Sequence, residues 1–313
     1  MRLRHAIATL ACMVLGAAGA AAQAPITLVV PFAPGGPTDL TARVMAPELS
    51  AALGASVVVK NTTGASGTIG GAEVARAAPD GQTLFFTPVG PMAIQPNLQR
   101  GIRYAASDFA AVCQVASAEV VMMTPKTSGF RTLADVLARA RAEGGNLPFG
   151  SSGIGTIPHI SMVALQRAAG VRMLHVPFRG GGEVMLAFQQ GALALFSDQP
   201  GTVRQHDLHV IAVFAPQRSA DFPDAPTMRE LGFDLSYAIW TAIFAPAATP
   251  VPVLERLEAA CAAALRRPAV TEGLKRLDTP PVFRDRRALA AFLAEENVRY
   301  RDLIEAAGMR QAE

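Results

Sequence analysis

The stretch Val29-Val30-Pro31-Phe32-Ala33-Pro34-Gly35-Gly36-Pro37-Thr38-Asp39 decides the fold. A short apolar run, residues 26–31, is turned by proline and glycine into a segment whose apolar residues recur at helical spacing over 39–53. A strand that feeds a helix in this way predicts an α/β sheet, where ligands bind at the carboxyl ends of strands. Gly35 and Gly36 permit unusual backbone angles and a close approach of ligand to main chain. Thr38 or Asp39 is expected to cap the helix, whose free N–H groups and positive dipole end form a seat for an anion. Taken alone, the stretch is equally a tight turn before a capped helix.

The same alternation continues outward. Gly54 ends the first helix and 56–60 reads as the next strand, while Pro47 is expected to kink or shorten the helix that contains it. A helix follows Gly67, then a strand at 83–87; apolar strands recur at 111–124, 147–150, 173–176, 193–197 and 209–214. Helices intervene at 132–143, opened by Thr132 and Asp135, and at 158–169, stopped by Gly170. Thr227-Met228-Arg229-Glu230 has the pattern of a capping box, with Gly232 beyond it. The chain ends in helices at 252–265, 268–277 and 287–307, the last with Leu289, Phe292, Leu293, Tyr300, Leu303 and Ile304 on one face. This order predicts an α/β fold of mostly parallel sheets flanked by helices. Breaks near Pro125-Lys126 and near 238–241 divide the mature chain into one lobe of 25–124 plus 239–313 and another of 125–238.

Composition excludes several classes. The 313 residues are 50% hydrophobic and only 17% charged, enough for two buried cores and too apolar for a disordered chain. Arg2 and Arg4 precede a charge-free run, 6–22, that ends in small residues; residues 1–24 read as a secretory signal cut after Ala22 or Ala24. The formal charge of +3 loses those two arginines, and a near-neutral mature chain gives no electrostatic footprint for nucleic acid. The product is expected to be exported and soluble, because Pro246, Pro250 and Pro252 interrupt the other candidate membrane span, and to be a monomer. Cys113 lies in an apolar strand and Cys261 in an alanine-rich helix. Export permits them to pair, but their surroundings favour two buried thiols.

Three further loops share the character of the first: Asn61-Thr62-Thr63-Gly64-Ala65-Ser66-Gly67, Phe149-Gly150-Ser151-Ser152-Gly153-Ile154-Gly155-Thr156 and Val176-Pro177-Phe178-Arg179-Gly180-Gly181-Gly182. Four such loops at strand ends suggest a cleft lined by backbone N–H groups and small hydroxyls, suited to a carboxylate. Enzyme motifs are missing: Ile154 stands where a nucleophile elbow needs glycine, and no run fits a dinucleotide or phosphate loop. No cofactor is expected. His159 and His175 could act as bases but lack an apparent orienting partner, and His206 and His209 lack the further ligands that zinc needs. Asp198, at a strand end, either accepts a hydrogen bond from a ligand or starts a turn.

The segment Val29 to Asp39 with Ala42-Arg43 resembles the opening motif of the Bug (TctC) family, the periplasmic solute receptors of tripartite tricarboxylate transporters. Asn61 with 64–70, 150–155 with His159, 175–180, Pro223-Asp224-Ala225-Pro226-Thr227 with Glu230, and Trp240 agree with it in order. The resemblance spans essentially the whole mature chain. It implies a two-lobed, type II periplasmic-binding fold that closes on a small carboxylated ligand, held by main-chain groups and waters, and delivers it to membrane transporter subunits. Carried over residue by residue, it implies a ligand seat of Phe32, Ala33, Pro34, Gly35, Gly36, Asp39, Ser66 and Gly67 from one lobe. Ser151, Ser152, Gly153, Gly155, Thr156, His159, Phe178, Arg179, Gly180 and Asp198 come from the other. Pro88-Val89-Gly90-Pro91, Val163, Glu183 and Ala187 depart from the family pattern and imply a more apolar distal pocket. The alternatives are a hydrolase or transferase on the same architecture, or a receptor that serves a sensor kinase.

Overall fold

The computed structural model describes residues 24–310 apart from Arg179 and Gly180, so the expected signal peptide lies almost wholly outside the described residues. Strand β1 (Ile26–Val30) is buried along nearly its whole length, as an apolar run in the middle of a sheet must be. It pairs in parallel with β2 (Val57–Asn61) and β3 (Thr83–Pro88). Helix α1 (Pro37–Leu53) connects β1 to β2 and ends at Gly54, whose φ of 65° supplies the left-handed cap. The helix runs unbroken through Pro47, at the loss of one backbone donor, because Met45, Ala46, Leu49 and Leu53 bury its inner face. Helix α2 (Thr68–Ala75) returns the chain to β3, and a short helix α3 (Gln95–Leu98) follows that strand.

Sheet order in the first lobe is β11-β4-β10-β3-β1-β2, with β4 spanning Phe109–Glu119, β10 Ala238–Pro246 and β11 Pro281–Arg284. The strands joined by helices are parallel; β10 runs antiparallel to both β3 and β4 because it re-enters from the second lobe. In that lobe β5 (Val121–Thr124) lies between β8 (Phe196–Asp198) and β9 (His209–Val213), antiparallel to both. Strands β6 (Pro148–Ser151) and β7 (Leu174–Pro177) are parallel, and a Phe149–Leu195 bridge ties them to the β8 edge. Helices α4 (Leu133–Ala142), α5 (Ile157–Ala169), α6 (Gly181–Gln189) and α7 (Pro200–His206) belong to this lobe. Both sheets are therefore mixed and flanked by helices.

The expected single strand at 111–124 is two strands in two sheets. Only Val120, itself fully buried, separates β4 from β5, and the crossing is marked by nothing more than the half-buried Glu119 that ends β4. The first crossing thus precedes Pro125-Lys126 by a whole strand. The two crossings lie side by side: Glu119 pairs with Ala238, and the Phe214 N–H donates to Val120 O at 2.7 Å. The Thr227–Glu230 capping box forms reciprocally, at 2.8 and 3.1 Å, but caps a turn rather than a helix.

Helices α8 (Val251–Leu265), α9 (Pro268–Arg276) and α10 (Arg286–Ala306) complete the first lobe. The buried face of α10 carries Leu289, Leu293, Tyr300 and Ile304 as expected, with Phe292 and Leu303 only partly buried. It also buries Glu296, which accepts a 2.9 Å hydrogen bond from the Trp240 indole at the start of β10. Cys113 on β4 and Cys261 on α8 form a disulfide, which overturns the expectation of two free thiols. The residues are 148 apart in sequence, but α8 packs on β4, so the bond staples the two halves of the first lobe around the inserted second one.

Candidate functional site

Val30 and Asn61 end neighbouring strands in register, so the first two loops leave the sheet together. The Asn61 amide donates to Phe32 O and to Asp39 Oδ1, both at 2.9 Å. Asp39 Oδ2 accepts from the Gly35 N–H at 2.8 Å and from Arg43 Nε at 2.9 Å. Burial alone would push the Asp39 carboxyl up, but the bonds from Arg43, Gly35 and Asn61 together hold it below its ordinary value. Both carboxylate oxygens are spent inside the loop, and Asp39 is 1% exposed. The helix cap is Gly36 rather than Thr38 or Asp39; Asp39, in the first turn, reaches back to the loop instead. Ala33, Pro34 and Gly35 are left exposed, with Phe32 and Gly36 half-buried.

The second loop is strained. Ala65, Ser66 and Gly67 follow one another at φ of 46°, 54° and 90°, a left-handed run in which the two non-glycine residues each cost on the order of 1 kcal/mol. Gly67 packs so closely that a Cβ there would lie 2.7 Å from Pro91 Cγ and 3.0 Å from Pro31 Cβ. The first loop, the second loop and the Pro88–Pro91 departure thus meet at one glycine, while Ser66 faces outward.

In the second lobe the hold is neutral. Ser151 is fully buried; its hydroxyl lies 3.0 Å from Gly153 O and 2.7 Å from His175 Nε2. The Phe178 N–H donates to Ser151 O at 2.9 Å, which binds the fourth loop to the third. Thr156 Oγ1 donates to Gly153 O at 2.8 Å, and His159 Nδ1 accepts from the Gly155 N–H at 3.1 Å, so the His159 proton sits on Nε2. The rings of His159 and His175 stack at 3.8 Å, and Phe149 lies 5.0 Å from His175 and 6.4 Å from His159. Burial, with the neighbouring imidazole adding to it, lowers His159 to about 3, and burial lowers His175 to about 4. Both are neutral at pH 7.

Asp198 ends β8, partly exposed, and accepts from Thr202 Oγ1 at 3.0 Å. Burial pushes its carboxyl up to about 6, against the lowering effect of its bonds to the Gln199 N–H and Thr202. It stands near the fourth loop: a Cβ on Gly181 would lie 4.0 Å from Asp198 Oδ2. The lobes touch where Gln95 Nε2 meets Ile154 O at 3.5 Å, and where Gly155 faces Leu98.

Each lobe therefore gathers its expected residues locally. Phe32 to Gly36 and Asp39 share one bonded cluster, against which Gly67 packs through Pro31; Ser151, Gly153, Gly155, Thr156, His159 and Phe178 share the other. Arg179 and Gly180 lie outside the described residues. Sequence reasoning assigned no role to Asn61 in holding the first loop, although its place at the end of a strand beside Val30 was the available signal. Gln95 carried no signal, since Pro96 beside it masks the short helix.

A family model described as the tripartite tricarboxylate transporter family receptor matches residues 41–309. Protein BugT of Bordetella pertussis is 30% identical over 293 residues, covering 91% of this chain and 90% of its own. Two solved structures superpose well: MatC from Rhodopseudomonas palustris with bound malate (30% identity, TM-score 0.80, covering 90% of this chain and 99% of that one), and an R. palustris protein with adipate (27%, 0.82, 91% and 98%).

Proposed function

We propose, from the premise that this chain belongs to the receptor family of tripartite tricarboxylate transporters, that it is a periplasmic receptor holding a small organic carboxylate between its lobes and delivering it to membrane transport subunits. The observation that carries this reading is the pairing of loops at strand ends, Asn61 fastening the first to the second and Ser151 the third to the fourth. Malate and adipate in the two similar proteins support a dicarboxylate of that size. Among the described residues no helix is long and apolar enough to cross a membrane.

In mechanism, the Ala33 N–H of the first loop, with the N–H groups of Ser152 and Ile154 and the Ser152 hydroxyl of the third, are the donors the loops do not spend on themselves, and they bind a carboxylate without a paired arginine. Asp39 positions the first loop and the Ser151–His175 contact positions the third. The lobes swing about the crossings at Val120 and at Tyr237, whose N–H donates to Phe214 O at 2.9 Å. We place the lobe boundaries at those crossings.

A hydrolase reading has one observation in its favour, the 2.7 Å Ser151–His175 contact. Against it, Ser151 has no exposure, and a histidine near 4 is a feeble base at neutral pH. The matched family is one of receptors.

Malate or adipate should raise the melting temperature, and Gly36→Val should remove the rise. Gly36 has φ −74° and ψ 164°, and a Cβ would meet only Ala33 O at 3.4 Å, so valine fits the backbone while crowding the seat. An undiminished rise in that variant sinks the first loop's role.

A further inference from the structure

A groove of about 620 Å3 opens in the first lobe between α2 and residues 99–103. Its charge is mostly positive: among the described residues Arg76, Arg100 and Arg103 line it with one acid, Glu73, whose oxygens already accept from Lys60 Nζ at 2.8 Å and Thr62 Oγ1 at 2.9 Å. The exposed guanidinium groups of Arg76 and Arg103 make no hydrogen bond or ion pair among the described residues. Beside them Ile69 is 51% exposed, an apolar side chain that the fold itself does not cover. Basic and acidic residues nearly balance over the whole chain, so this concentration of cations is local.

The groove is also joined to the seam between the lobes. Gln99, on its rim, donates to Gln95 Oε1 at 2.6 Å, and buried Gln95 reaches Ile154 O of the second lobe at 3.5 Å. Ala65 and Thr68 line the groove too, and they flank Ser66 in the strained second loop. Separation of the lobes would remove the Gln95–Ile154 contact and leave Gln95, the acceptor that holds Gln99 on the rim, without its brace on the second lobe.

We propose that this groove docks an acidic protein segment carrying apolar side chains, presented by the membrane partner, and that it is best formed when the lobes are together. The identity of the occupant as the membrane partner rests on the receptor reading above; the charge and shape of the groove do not. A lone small anion gains little from exposed arginines. A segment with several carboxylates gains from each in turn and covers Ile69 as well, which is the complementarity the groove offers.

The test is fluorescence anisotropy on the whole mature protein with a labelled peptide of alternating Glu and Leu, a Lys/Leu peptide, and phosphatidylglycerol vesicles as probes. The Glu/Leu peptide should bind, more weakly as salt rises, and Arg76→Glu with Arg103→Glu should weaken it by about tenfold or more. Ile69→Asp should weaken it further, and Gln95→Ala should weaken it without touching the groove's charges. The idea is overturned if the Glu/Leu peptide does not bind, if the Lys/Leu peptide binds as well, or if the double reversal leaves binding unchanged. Binding to vesicles alone also overturns it, since the surface would then be a membrane face. The malate- or adipate-induced rise in melting temperature, measured on the same proteins, should survive the double reversal. Its absence in the unaltered protein would sink the receptor reading and leave the peptide result standing.

Discussion

The two lobes hold equivalent loops by opposite means. In the first, the buried carboxylate of Asp39 gathers Gly35, Arg43 and Asn61, and a disulfide pins the sheet behind it to a helix. In the second, a serine hydroxyl and two stacked neutral histidines do the same work, with no cysteine anywhere between the crossings. A charged post keeps its hydrogen bonds until it is protonated, and its lowered pKa puts that below the ordinary carboxylate range. A neutral imidazole post fails as soon as protonation of the unfolded chain competes. The first lobe is thus built to resist acid and to depend on oxidation, and the second the reverse.

Removal of the disulfide should give the largest effect. In the chain-entropy account, a loop closed over 148 residues contributes roughly 4–5 kcal/mol. Cys113→Ala with Cys261→Ala should lower the denaturant midpoint accordingly. Hydrogen exchange should quicken in β4, β10 and α8 and stay unchanged in β5 to β9. Equal quickening in both lobes would break the contrast.

Acid should give the next largest. His159 and His175 are lowered to about 3 and about 4 from 6.5, so their contribution is present above pH 6.5 and is lost as pH falls through 6.5 towards those values. Asp198, raised to about 6, works the other way and gains stability as pH falls from 6 towards 4. Two histidines outweigh one aspartate, so between pH 7.5 and 4.5 the second lobe should show a net loss of stability. It should show as earlier exchange in α5 and β7 than in α1 and β2. Loss beginning in α1 would reverse the assignment.

Where the sequence was legible, a local rule was enough. Gly54 and Gly170 stopped helices because only glycine takes their left-handed angles without cost, and Thr132 with Asp135 capped α4 as its spacing required. The four candidate loops were legible as loops for the same reason, since their glycines follow apolar strands. What failed needed distant neighbours. At the crossing only Glu119 interrupts the apolar run, and one half-buried acid in a strand does not tell a change of sheet from a solvent-facing position. The disulfide could not be read because Cys261 approaches Cys113 only after the chain has built a second lobe and returned. Glu296 broke the apolar face of α10 because its partner, Trp240, is 56 residues away. The Ser151–His175 contact likewise joins two strands that are neighbours only in the folded sheet.

Asp198 is the one charged post among the described candidate site residues of the second lobe, and it tests the contrast at its finest. Its elevated pKa leaves it largely ionised at pH 7.5 and largely protonated at pH 5. If a ligand carboxylate is held beside it, the ionised form repels the ligand and the protonated form donates to it. Affinity for malate or adipate should therefore fall on the order of tenfold from pH 5.5 to 7.5, the free-energy equivalent of about one pKa unit. The Asp39 carboxylate, ionised across that range, adds no slope of its own. Asp198→Asn should flatten the profile in calorimetry and bring affinity at pH 7.5 up to the acid value, because an amide donates at every pH. A flat profile in the unaltered protein would mean that Asp198 only starts α7 through Thr202, and the second lobe would then contact its ligand through neutral groups alone.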